Sequence, residues 1–244
     1  MKTRPITDLF DACSGAVEPP DILRDYHYRR IDRVNDGEYE IDENKKGIIL
    51  VHISLADFFG PYLDDRIDAA EFVESSTEIP IIKRASYSNF SDRVSLCSRG
   101  VKASKSVNNN VTACTWIDRT GVLEAISTDL VYEQENQGPI ISTETLERTL
   151  SELITSYLET VVESDDDLIF ATISYLNMDG VYTPRMGSFD RPREIETPFI
   201  ETPVVTIRNE NIRKQLTPLL RPFWQAVNYF ESPYMTEDGW EFED

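Results

Sequence analysis

Apolar and polar positions change period several times along these 244 residues, and each change marks an element boundary. Residues 47–53 form a nearly continuous apolar run and predict a buried central strand. Upstream, residues 26–34 alternate and predict a strand. Asn35, Asp36 and Gly37 then supply a hairpin-turn signal, and residues 38–42 put Tyr39 and Ile41 on one face with acids on the other. The three pieces predict a three-stranded meander. Residues 108–117 and 122–132 predict two strands joined by a turn at 118–121, and residues 168–176 and 181–183 a second hairpin around 177–180. The clearest helix is 142–162, capped by Ser142 or Thr143 and carrying Leu146, Leu150, Leu153, Ile154, Leu158 and Val161 on one stripe. Helical patterns also cover 63–73 and 207–230, the latter interrupted near Pro218 and Pro222, while 86–106 and 184–203 read as loops. The sum is an α+β fold: a mixed, mainly antiparallel sheet packed against helices. Residues 1–25 read as an adaptor segment whose helix Pro19 and Pro20 stop, 26–230 as a single domain, and 231–244 as an acidic tail.

Composition narrows the class. An apolar fraction of 40% with 10% aromatics supplies a core and argues against disorder. A formal charge of −20 repels polyanions at long range and suits a basic partner. Cys13, Cys97 and Cys114 form no CxxC pair, and His27 and His52 are the only histidines, which excludes a disulfide framework and a zinc site. No signal-like leader or membrane-length apolar run is present, so the expectation is a soluble, cytoplasmic protein with no membrane contact.

Candidate chemistry gathers just before the apolar strand. Asp32, Asp36, Glu38, Glu40, Asp42 and Glu43 cluster there, and carboxylates at such spacing can share a hard cation that polarises a phosphodiester and supplies hydroxide. The same stretch also reads as a solvated acidic hairpin. An EF-hand register places Asp32, Asp36 and Glu43 at ligand positions and Gly37 at the turn position, but Val34 occupies another ligand position and the flanks read as strands. His52 reads as a satisfied core histidine and His27 likewise, with no nearby Ser or Cys arranged for nucleophilic work. A basic stretch with Arg84, Tyr87, Arg93, Arg99, Lys102 and Lys105 could touch phosphates and stack a base.

The order of these segments resembles the RNB catalytic domain of the ribonuclease II and ribonuclease R family. Ile31-Asp32 is similar to that family's strand ending in aspartate, and Glu38-Tyr39-Glu40-Ile41 stands where its closely spaced catalytic aspartates lie. Val51-His52-Ile53-Ser54, Leu63-Asp64 with Ala69, Ile79-Pro80-Ile81-Ile82, Ser91 to Leu96 and Trp116 to Val122 resemble the segments that follow, so the match spans roughly residues 26–135. The resemblance implies an RNB-like fold and processive 3′–5′ hydrolysis of single-stranded RNA. It implies Asp32, Glu38 and Glu40 as catalytic residues, with Asp42 joining them around Mg²⁺ or Mn²⁺, and RNA contacts from Arg84, Tyr87, Arg93 and Arg99. Two of the acids are one methylene longer than the family's, and Ile41 replaces a further one. The alternative is a non-catalytic acidic interaction or regulatory protein, built on a nuclease-like fold, that binds a basic protein.

Overall fold

The computed structural model describes residues 19–42, 45–56, 68, 70, 80–83, 91–97, 100–108, 110–162, 168–186, 191–209, 212–236 and 239–240. The apolar run becomes strand β1 (Ile48–Leu55), buried along its whole length. It pairs with β5 (Leu123–Ser127) on one side and β8 (Ile169–Leu176) on the other. Beyond β5 lie β4 (Asn110–Asp118), β3 (Gly100–Val107) and β2 (Ser91–Cys97). The outer edge of β8 takes β9 (Phe199–Glu201) and β10 (Val205–Ile207) end to end. Thr202 fills the gap between them: its hydroxyl accepts from Ile173 N at 2.9 Å and donates to Ile173 O at 3.0 Å. Every pairing in this eight-stranded sheet is antiparallel. The hairpin β6 (Val131–Gln134) and β7 (Gly138–Ile141) leads into helix α2 (Thr143–Val161). Short helix α3 (Ile212–Gln215), helix α4 (Thr217–Ala226) and the small pair β11 (Met235–Thr236) and β12 (Gly239–Trp240) complete the order. The fold is α+β.

Strand alternation divides the core in two. Ile49, Val51, Ile53 and Leu55 face the larger cluster, where α2 contributes Leu146, Leu150, Leu153, Ile154 and Leu158 and α4 contributes Leu219, Leu220, Phe223 and Trp224. Ile48 and Leu50 face the opposite side, with Cys114, Ile126 and Leu176. Full burial of one such side chain is worth about 1.5–3 kcal/mol, so the larger face supplies most of the cohesion.

A helix covers the smaller face, and it corrects the predicted meander. Residues 26–34 are not a strand. They lie in α1 (Pro19–Asn35), whose buried positions Leu23, His27, Arg30, Ile31 and Val34 recur at helical spacing. Pro19 and Pro20 start this helix, because proline is tolerated in a first turn whose N–H groups have no partner. The Asn-Asp-Gly turn signal is its C-cap. Gly37 N donates to Val34 O and Glu38 N to Arg33 O, with Gly37 at φ 70°, which is a Schellman motif. Residues 38–42 then run irregularly, tied to the sheet by a single parallel bridge from Ile41 to Val111.

Three further expectations are corrected. Much of the 86–106 loop is the β2–β3 hairpin. Residues 181–183 do not pair with β8; Tyr182 instead bridges Ile140 and Glu194. The helical pattern over 207–230 begins as strand β10, and its helix breaks at Leu216 before α4, which accommodates Pro222. The predicted helix over 63–73 lies outside the described residues apart from Asp68 and Ala70.

Candidate functional site

Of the acids singled out from the sequence, Glu43 lies outside the described residues, and the other five are exposed on α1 and the chain that follows it. Asp32 lies on the exposed face of the helix. Asp36 is exposed at its cap. Glu38 is held by Arg33, the residue its own backbone N–H caps. Glu40 pairs with Lys102, whose ammonium lies 5.4 Å from the Trp116 ring centre. Asp42 is exposed, and Ile41 between it and Glu40 is buried in the smaller cluster. Among the described residues, no three carboxylates, imidazoles or thiols are arranged to hold one metal ion. Two of the five acids are already neutralised by bases, so the set does not fit the Mg²⁺ or Mn²⁺ that the resemblance implies. Of the basic candidates, Arg84, Tyr87 and Arg99 lie outside the described residues, and Arg93 is on β2. Lys102 is taken up by Glu40, and Lys105 is buried against Asp129 at 2.7 Å.

A different set of polar groups converges, beneath α1. The sheet register lines up Thr172, His52, Glu124, Trp116 and Lys102 across β8, β1, β5, β4 and β3. The first half of α1 lies on this row. His27 Nε2 is 2.7 Å from Ser174 Oγ, and its Nδ1 is 2.5 Å from His52 Nδ1. His52 Nε2 is 2.8 Å from Glu124 Oε2. Arg30 completes the chain with a two-pronged grip on Glu124 through Nε and Nη2. With both imidazoles neutral, the row has one consistent set of proton positions. A carboxylate only accepts, so His52 Nε2–H donates to Glu124; His27 Nδ1–H then donates to His52 Nδ1, and the Ser174 hydroxyl donates to His27 Nε2.

The electrostatics follow from that arrangement. Burial alone would raise the Glu124 carboxyl, but the hydrogen bonds it accepts from His52 and Arg30, with the Arg30 charge, outweigh it and hold it down at about 2. Burial, helped by the neighbouring His52, pushes the His27 imidazole well below its usual 6.5. Arg30 also stacks 5.1 Å from the Tyr39 ring centre, and Tyr26 meets His52 edge-on.

A serine, two imidazoles and a carboxylate in series have the connectivity of a nucleophile, its base and an orienting acid, with one imidazole added. Ser174 and His52 are nevertheless fully enclosed, and His27 is 2% exposed. In this conformation the chain clamps α1 and offers no approach to a substrate. Ser174 could not be paired with His27 from the sequence because the two are 147 residues apart, and Ser54, two residues from His52, does not join the chain. The available signal was polar residues within apolar strands: His52 in IILVHISL, Glu124 in LEAIS and Ser174 in IFATISYL.

Two other polar sites stand apart. A cleft of about 580 Å³ is lined by Asp42, Lys45, Asn110, Thr112 and Asp129, among others. On the opposite face of the sheet, Glu147 on α2 accepts from Trp224 Nε1 at 2.6 Å and Ser232 Oγ at 2.8 Å. Burial outweighs these two bonds and pushes its carboxyl up to about 7.

No family model, no curated protein and no solved structure matches this chain. Among the described residues, no helix is long and apolar enough to cross a membrane.

Proposed function

We propose that this chain is a non-catalytic interaction protein that presents the exposed acids after α1 to a basic protein partner. The observation that carries this reading is that Asp32, Asp36, Glu38, Glu40 and Asp42 all lie exposed along the end of α1 and the chain just after it. A net charge of −20 supports it, because such a field speeds encounter with cations and opposes polyanions. The RNB-like exoribonuclease reading rests on the order of sequence segments, and the same protein tests it.

Immobilised polylysine serves as the basic probe. The wild type should elute at higher salt than the D32N/D36N/D42N variant. A control with equal charge loss on exposed sites elsewhere, E135Q/E152Q/E159Q, should lose less retention. Equal loss in both variants rejects the assigned face. Mg²⁺- or Mn²⁺-dependent shortening of a single-stranded RNA oligomer, abolished by D32N/E40Q, would replace this reading with the nuclease one.

A further inference from the structure

Helix α1 is held by two unlike halves. Its second half is apolar: Ile31 and Val34 pack with Ile41 on Ile48, Leu50, Cys114, Ile126 and Leu176. Its first half meets the sheet through polar groups. Among residues 21–30, Leu23 is the one buried apolar side chain, and the others buried there are His27 and Arg30. An outer clasp from the Tyr28 hydroxyl to Glu201 on β9 is solvent-exposed.

The imidazole contact between the first half of α1 and β1 is sensitive to protons by its geometry. The groups facing it are Arg30 and Tyr26 from α1, Glu124 from β5, Thr172 and Ser174 from β8, and Tyr39 from the chain after the helix. Arg30 and Glu124 cancel each other's charge. The enclosed cluster is therefore neutral only while both imidazoles are neutral. One added proton leaves a net positive charge out of reach of water. A second sets an N–H on each Nδ1, two donors facing each other across 2.5 Å with no lone pair between them.

We propose that the His27–His52 contact is an acid-operated latch: protonation of the pair detaches the first half of α1 from the sheet and uncovers Ser174 and Glu124, while the apolar second half stays docked. The inference is independent of the partner-binding reading. Burial and the neighbouring imidazole keep His27 neutral at pH 7, so the latch is closed there. It opens as the medium falls below the ordinary imidazole range, because the detached histidines then recover their solvent pKa.

The test is hydrogen exchange on the full chain, with intrinsic rates corrected for pH. From about pH 7.5 to about pH 5.5, amides 23–30 should lose roughly tenfold or more of their protection, while amides 49–53 of β1 keep theirs. The chain has only two histidines, so their ring signals can be followed directly by NMR. Both should gain protons in step with the loss of α1 protection. In His27→Gln, which removes one titrating ring, the pH dependence of amides 23–30 should disappear. Three outcomes overturn the proposal: α1 protection that does not change with pH, protection lost from α1 and β1 together, or histidine protonation with α1 still protected. A pH dependence that persists in the glutamine variant also overturns it.

Discussion

Glu124 receives hydrogen bonds from the Arg30 guanidinium and the His52 imidazole at once, and all three side chains are buried. Its carboxyl lies at about 2 against an ordinary 4.5. A depressed carboxyl contributes stability that is present above 4.5 and is lost as pH falls from there toward 2, on the order of 3 kcal/mol in full. Glu124→Gln removes the negative charge and leaves Arg30 buried beside a neutral amide. The expected cost at neutral pH is about 3–5 kcal/mol by urea unfolding, the range for stripping one partner from a buried ion pair. A cost below about 1 kcal/mol would mean that water reaches Arg30 and that the clamp is not sealed. The surface pairs around it follow a different rule. Arg33–Glu38 has both side chains about half exposed, so its loss costs at most about 1 kcal/mol.

At the scale of elements, two glycines bound the segment that the sequence misplaced. Gly37 closes α1 at φ 70°, and Gly47 opens β1 at φ 69°. Alanine at Gly37, an exposed position, takes on the left-handed backbone penalty, roughly 1 kcal/mol. Alanine at Gly47 meets that penalty and also places its Cβ 2.1 Å from Val131 Cγ2 and 2.9 Å from Val131 Cβ. Overpacking of this kind adds about 1–3 kcal/mol. Chemical denaturation should therefore rank Gly47→Ala as clearly the more damaging, and equal losses would refute the close approach of β6. The same segment explains what the sequence made legible. Strands β1, β4 and β8 and helix α2 lie close to their expected positions, because each buries enough surface for its period to dominate, whereas the run predicted over 122–132 divides into β5 and the start of β6. Helix α1 was hidden because two of its five buried positions are the polar His27 and Arg30, which break its apolar stripe. Its Asn-Asp-Gly cap also carries the residue types of a hairpin turn. The buried chain was hidden for a related reason: Ser174, His27, His52 and Glu124 come from four elements whose register no local pattern encodes.

Across the whole molecule, two enclosed groups on opposite faces of the sheet oppose each other as pH changes. His27, held below 6.5, contributes stability that is present above 6.5 and is lost as pH falls through its lowered native value. Glu147, raised from 4.5 to about 7, does the reverse: its contribution is present below 4.5 and is lost as pH rises toward 7. A shift of that size is worth up to about 3 kcal/mol. Exposed carboxylates add a third trend, because 44 acids against 24 bases repel one another less as they protonate. The Glu147 part can be isolated with Glu147→Gln, which cannot ionise but can still accept one hydrogen bond from Trp224 or Ser232. The difference in unfolding free energy between wild type and variant cancels His27 and the surface. That difference should drop by up to about 3 kcal/mol, in favour of the variant, between about pH 4.5 and about pH 7, and should be flat on either side. Urea titrations at four pH values across that window measure it. A difference that stays constant would place an ordinary, solvated carboxyl at Glu147 and dissolve the link between α2, Trp224 and the segment carrying Ser232.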